Sequence, residues 1–381
     1  MTSKFDIGAL RKKVTLSLEK QGFLYDGDKI SLPSDIDKEG IRQLHREAVQ
    51  TRIERSKKGL IRHEARLLSY IAAGREVEPG KISPLLVKVE PKTVNELLFR
   101  YASLHWSIPV SSGYGRRLRF IVFDQNNGKL IGLFGLGDPV FSLAARDEWI
   151  GWDKEQRRHR LKHVMDAFVL GAVPPYSNLL CGKLVAMLLA SNEVRKAFKR
   201  KYGGQVSLIN RKTFDGRLVL ITTTSALGRS SIYNRVNCNG RALFNRIGYT
   251  SGSGEFHFSS GLYAEISQFV SLHCLPTAKQ ERWGAGFRSR REIVRKALPL
   301  LGLPHDLIYH QVKREVFAIP LAVNAHQFLR GEHERVQWYD MSTDQIFEYF
   351  KDRWLMGRAR RDSSYRKFAP SFYTLWMDKK D

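Results

Sequence analysis

Cys181 is the residue whose type and place could do the most chemistry. It stands in Pro174-Pro175-Tyr176-Ser177-Asn178-Leu179-Leu180-Cys181-Gly182-Lys183. The apolar run before it, 167–173, reads as a buried strand, and the run after it, 184–190, as a buried helix. A strand, a proline-stiffened turn and a helix start aim backbone N–H groups at whatever lies in front of them. A cysteine in the first helical turn feels the positive end of the helix dipole, which favours its thiolate. Lys183 adds positive charge two residues on, and such a thiolate could attack a phosphodiester. The competing reading is a small buried hydrophobe between Leu180 and Gly182, the commonest fate of a cysteine.

Tyr233 is the rival nucleophile. It lies in Ser225-Ala226-Leu227-Gly228-Arg229-Ser230-Ser231-Ile232-Tyr233-Asn234-Arg235, a polar loop after a strand. Its small hydroxyls, exposed amides and the cations Arg229 and Arg235 suit phosphate cradling. An aromatic plug beneath the loop is the alternative role for Tyr233. Asp147 and His257 are the candidates for acid–base work. Asp147 follows Arg146, and buried charges are normally paired, so a structural Arg146–Asp147 network competes. His257 alternates with Phe256 and Phe258 in a short expected strand, which would turn it away from their face. A hydrogen-bonded structural histidine is the other reading. A metal site needs two or three converging carboxylates. Only Asp138, Asp147, Asp166 and Glu255 lie near these motifs, so no metal site and no cofactor is predicted, and a divalent metal is left open.

Charge names the partner. Lys and Arg total 63 against 38 Asp and Glu, a formal net charge of +25 over 381 residues. A polyanion explains that excess, and DNA of undetermined strandedness is the expectation. Candidate contacts are Arg146, Arg229, Arg235, the basic helix with Arg195, Lys199 and Arg200, and the tail cations Arg358, Arg360 and Arg361 near Trp354. A helix over 37–71 carries eight more, from Arg42 to Arg66. Apolar residues make up 43% of the chain, enough for a sizeable core, yet no run of eighteen could cross a membrane. Met1 to Asp6 lacks an apolar signal region. Three cysteines make no disulfide framework and no zinc spacing. A cytoplasmic protein with no membrane partner is expected.

The elements that must position these residues fall into three regions. Residues 1–80 read as basic and helical, 81–283 as an α/β core, and 284–381 as helical with a basic tail. In the core, strands are expected at 85–89, 119–123, 130–134, 167–173, 218–224 and 255–258, with 245–249 leading into a glycine-rich turn before the last. Asn127-Gly128 closes a hairpin, and Thr93 caps a helix running to Trp106. Further helices are expected at 290–301, 305–322, 323–329 and 344–356. This order resembles the GNAT acyltransferase fold, which implies an α/β (α+β) mixed-sheet core with helical N- and C-terminal extensions. In acetyl-CoA-binding members a glycine-rich pyrophosphate loop follows the fourth strand. Pro174 and Pro175 stand there instead and remove amide donors, which argues against that ligand.

Longer segments resemble the DruA family of the Druantia anti-phage systems. They include Leu130-Ile131-Gly132-Leu133-Phe134-Gly135-Leu136-Gly137-Asp138-Pro139-Val140, Arg146-Asp147-Glu148-Trp149-Ile150-Gly151-Trp152, Val164 through Tyr176, Thr222 through Arg235 and Ile247 through Gly252. The likeness spans residues 80–330 and implies a DNA-directed role in phage defence or in a mobile element. The resulting expectation is a DNA-binding, transposase- or nuclease-like protein that cleaves or transfers strands through a covalent intermediate. In it Cys181 attacks, and Lys183, Arg229 and Arg235 stabilise the phosphate charge. The alternatives are a non-catalytic DNA-binding module that recruits a helicase partner, and a GNAT-type acyltransferase. A homodimer is compatible with either.

Overall fold

The apolar runs of the middle of the chain pair edge to edge into a seven-stranded mixed sheet. Its strands are β1 (Pro84–Lys88), β2 (Arg117–Asp124), β3 (Lys129–Gly137), β4 (Val164–Ala172), β5 (Leu220–Thr224), β6 (Asn245–Tyr249) and β7 (Glu315–Pro320). The spatial order is β6-β7-β5-β4-β3-β2-β1. Strands β1 to β4 are successively antiparallel, β4 and β5 are parallel, and β7 runs antiparallel to both β5 and β6. The computed structural model describes residues 6–111, 115–206, 211, 213–277, 282–284 and 286–377. Most of the N-terminal segment expected to lack a signal region therefore lies outside the described residues.

The chain is a mixed α/β protein, and its strand order is compatible with a GNAT-like arrangement. Its principal helices are α1 (Ile7–Gln21), α2 (Lys38–Leu60), α3 (Val94–Ala102), α4 (Cys181–Leu188), α5 (Asn192–Tyr202), α6 (Ser260–His273), α7 (Phe287–Leu300) and α8 (Thr343–Phe350). Local signals hold where local physics decides. The Thr93 hydroxyl caps α3 by accepting from the Glu96 amide at 3.3 Å. Gly128 takes the left-handed conformation (φ 70°) that the β2–β3 turn demands. Among the described residues no helix is long and apolar enough to cross a membrane.

Three expected elements differ. Residues 305–322 are not a helix: a short turn at His305–Ile308 leads to β7, inserted between β5 and β6. Glu315 to Ile319 are all buried, and a strand buried on both faces shows no alternation to separate it from a buried helix. The central sheet therefore takes a strand from beyond residue 283. Residues 255–258 form a turn rather than a strand. The long basic helix stops at Leu60 and continues as two short turns through Leu68.

The sheet is covered on both faces. One face packs on α4, α5 and α8, the other on α3 and the tail around Tyr373. A second apolar core joins Leu10, Val14 and Leu18 of α1 to Ile266 and Phe269 of α6 and to Ile293 and Val294 of α7. The N-terminal helices thus fold together with residues 258–312.

Candidate nucleic-acid interface

Strands β4 and β5 are hydrogen-bonded only where Val164–Ala167 faces Leu220–Thr223, while β4 continues to Ala172. A cleft of about 470 Å³ lies at the free end of β4, lined by Gly171 to Pro174, by Lys183 of α4, by Ile232 of the loop after β5, and by His105, Trp106 and Tyr373. The carboxyl ends of strands where a sheet parts are the usual ligand place in open α/β sheets.

The turn before α4 is pinned to the β2–β3 hairpin. Tyr176 is buried and its hydroxyl donates to Asp124 Oδ2 at 2.9 Å. Asp124 Oδ1 in turn accepts from the Ser83 and Asn126 amides. The Tyr176–Leu179 turn then brings Cys181 under the sheet, where it is 0% exposed. Burial pushes its thiol well above the ordinary range, and the Asp124 carboxylate adds to the rise. Desolvation therefore outweighs the helix start that was expected to favour a thiolate. Cys181 packs in the core as a hydrophobe.

Tyr233 is the plug rather than an open nucleophile. Its ring stacks on Phe244 at 4.9 Å and meets Phe317 edge-on at 5.3 Å. Burial raises its hydroxyl above the usual range. Glu315, wholly buried, holds the loop: its Oε2 accepts from the Ser230 amide at 2.7 Å and from Asn234 Nδ2 at 3.0 Å.

Asp147 belongs to a clamp. Arg146, 0% exposed, donates through Nε and Nη2 to Asp147 Oδ1 and through Nη1 and Nη2 to the Val140 and Phe141 carbonyls. Asp147 also accepts from Arg157 and Trp152. Burial raises its pKa, and Arg146 lowers it by more, for a net lowering. Arg146 is therefore closed to nucleic acid, because its donors are spent inside the protein. His257 lies in the second core, not on a sheet face. Its Nε2 is 2.7 Å from the Leu307 carbonyl oxygen, and burial lowers its pKa to about 4.

Of the expected cations, the cleft gathers a subset. Lys183 Nζ lies 4.5 Å from the Trp354 ring centre. Burial, then the positive charges of Arg235 and Arg353, lower its pKa. The charges acting on it are both positive. Arg358 Nε donates to the Asn178 carbonyl at 2.9 Å, which seats the tail helix on the turn that precedes α4. Arg360 and Arg361 are exposed on that same helix. Lys199, Arg200 and Arg229 are exposed elsewhere. Arg195 is held inside by the Asn192 side chain and the Tyr339 carbonyl, with Trp338 4.6 Å away.

Sequence reasoning missed His105, Trp106 and Tyr373 as cleft residues, and Arg353 as a charge acting on Lys183. The tail joins the cleft through Glu64, which is fully buried and accepts from the Tyr101 hydroxyl at 2.7 Å and from the Leu375 and Met377 amides at 2.6 and 2.7 Å. That anchorage lays Tyr373 flat on His105 at 3.6 Å. Only the cluster of Arg353 and Trp354 carried a signal, as an aromatic among cations. Among the described residues no group of three His, Cys, Asp or Glu side chains could hold a metal.

No solved structure matches this chain. A Druantia protein DruA of Escherichia coli (strain UMEA 4076-1) is 43% identical over 359 residues, 94% of this chain and 89% of that protein. The family profile described as Druantia protein DruA matches residues 35–331. With that profile covering most of its length, the chain belongs to the Druantia DruA family.

Proposed function

We propose that the chain is a DNA-binding component of a Druantia system in phage defence, and that it grips DNA phosphates at the mouth of the β4 cleft. One observation carries this reading: Lys183 lines the opening, and the charges acting on it, Arg235 and Arg353 from two distant segments, are both positive. Gathering like charges costs free energy unless an anion is there to meet them. The excess of +25 makes a polyanion the natural one. Arg360 and Arg361, with the exposed Arg229, Lys199 and Arg200, extend the contact as sequence-independent phosphate holds. The reading is non-catalytic: Cys181 is covered, the Tyr233 ring is packed between Phe244 and Phe317, and burial raises the pKa of both against ionisation. In it the DNA is passed to another protein of the system, such as a helicase.

The test is DNA affinity by fluorescence anisotropy across a salt series, with single and double strands. Log affinity should fall steeply with log salt. Lys183→Ala, Arg235→Ala and Arg353→Ala should each flatten the slope by about 1. Lys183→Ala should leave stability within about 1 kcal/mol, since it loses one cation–π contact and relieves repulsion. A flat salt response overturns the proposal. So does a DNA adduct on a denaturing gel that disappears in Cys181→Ala.

A further inference from the structure

Behind the cations the cleft changes character. Trp106 lies against the backbone of Gly171, where even an added Cβ would meet the indole at 3.1 Å. His105, stacked on Tyr373, continues that aromatic wall. Ala172, Val173, Leu180 and Ile232 supply apolar surface. Phosphate contact needs only the rim. Nothing in a phosphate-gripping role calls for an aromatic, largely apolar recess of about 470 Å³ behind it. Recesses of roughly 300–1,000 Å³ with apolar walls and few polar groups suit a flat organic ligand. A base has a π-face for Trp106 and an attached phosphate for Lys183.

We propose that this cleft receives one nucleobase of a DNA strand, swung out of its stack, while Lys183 at its wall, backed by the charges of Arg235 and Arg353, holds the attached phosphate. The proposal rests on the DNA-binding reading above and specifies what the same site takes. A base in such a pocket must be unstacked and unpaired first, and that cost is smaller where pairing is already broken. The protein should therefore prefer a duplex with one mismatch over the same duplex fully paired.

The experiment compares both duplexes by anisotropy, and repeats them with 2-aminopurine at the mismatched position. We expect tenfold or tighter binding to the mismatch and a change in 2-aminopurine emission on binding. Ser177→Trp, placed at the exposed rim of the cleft, should abolish both effects while keeping the affinity for paired DNA and its salt slope. Trp106→Ala should weaken the preference by a smaller factor. Equal affinity for the two duplexes with unchanged emission overturns the base pocket and leaves the phosphate reading standing. No DNA binding at all removes the phosphate reading, and the pocket with it. Free deoxynucleoside monophosphates that raise the Tm as much as DNA does, through the same Ser177-sensitive site, would make a free nucleotide the occupant and overturn the assignment to DNA.

Discussion

Two regions of the molecule bury polar groups among aromatic rings and handle them in opposite ways. In the second core, His45, His257 and His310 lie in or beside a nest of Phe23, Phe256 and Phe258. Their contacts stay inside the protein: His45 spans the Ile41 carbonyl and Arg314, His257 meets the Leu307 carbonyl, and His310 accepts from the Val312 amide. At the β4 cleft, Lys183 feels the charges of Arg235 and Arg353, both positive. The first region spends its polarity on holding the fold. The second leaves its polarity for a partner. The difference teaches where to look for function: not at the most buried or most perturbed groups, but where charge is gathered and left unanswered.

Acid breaks the first region before the second. Burial lowers the pKa of His45 and His257 to about 4 and of His310 to about 2, with Arg314 and the neighbouring histidines pushing His45 and His310 the same way. In the unfolded chain these rings titrate near the ordinary value of about 6.5. Below that pH the unfolded state takes protons that the folded state refuses. Stability is therefore fully present above about pH 6.5 and is lost as pH falls toward 4. At pH 5 each histidine removes about 2 kcal/mol, as an upper figure. Thermal unfolding at pH 7.5, 6 and 5 should show a steep fall in Tm, and Lys183→Ala should show the same fall. A Tm that is level over this range would mean the nest is open to water.

Cations sharpen the contrast next. Arg146 has its donors answered by Asp147 and two carbonyls. Arg146→Ala removes the guanidinium that pairs with Asp147 and holds the Val140 and Phe141 carbonyls, leaving Asp147 to Arg157 and Trp152, and should cost about 3–5 kcal/mol in urea unfolding. Lys183→Ala, at a cation with no acid beside it, should cost little. Equal costs would erase the distinction between a structural and a ligand-seeking cation.

How much of this was legible follows from how far each cause acts along the chain. Thr93 and Gly128 declared α3 and the β2–β3 hairpin because a cap and a left-handed turn are decided within a few residues. Strand β7 was hidden because Glu315–Ile319 is buried on both faces. The pairing of α1 with residues 258–312 was hidden because its ties span more than two hundred residues, as in Lys13 to Glu265 at 2.6 Å and Gln21 to the His257 carbonyl at 2.9 Å. At the cleft, Lys183 and Arg235 stood out because their motifs are local. Tyr373 did not, because only the Glu64 anchorage brings it there.

Cys181 gives the smallest effect and the finest test, since it sits two residues from Lys183 yet belongs with the buried groups. Sequence placed it at a helix start with a lysine near, and both favour a thiolate. The side chains that decide its acidity, Asp124 and Tyr176, arrive from the hairpin and the turn and close it off. A covered thiol should resist iodoacetamide in the native protein at pH 8 and react after unfolding, whereas Cys274, half exposed, should react first. Cys181→Ala should unfold with a modest loss. Cys181→Ser, which buries a stronger polar group in the same apolar surroundings, should lose a further 1–3 kcal/mol or about that. DNA affinity should be untouched in both variants. Rapid alkylation of native Cys181, or serine tolerated as well as alanine, would move this residue across the boundary, from the region that holds the fold to the one that meets the ligand.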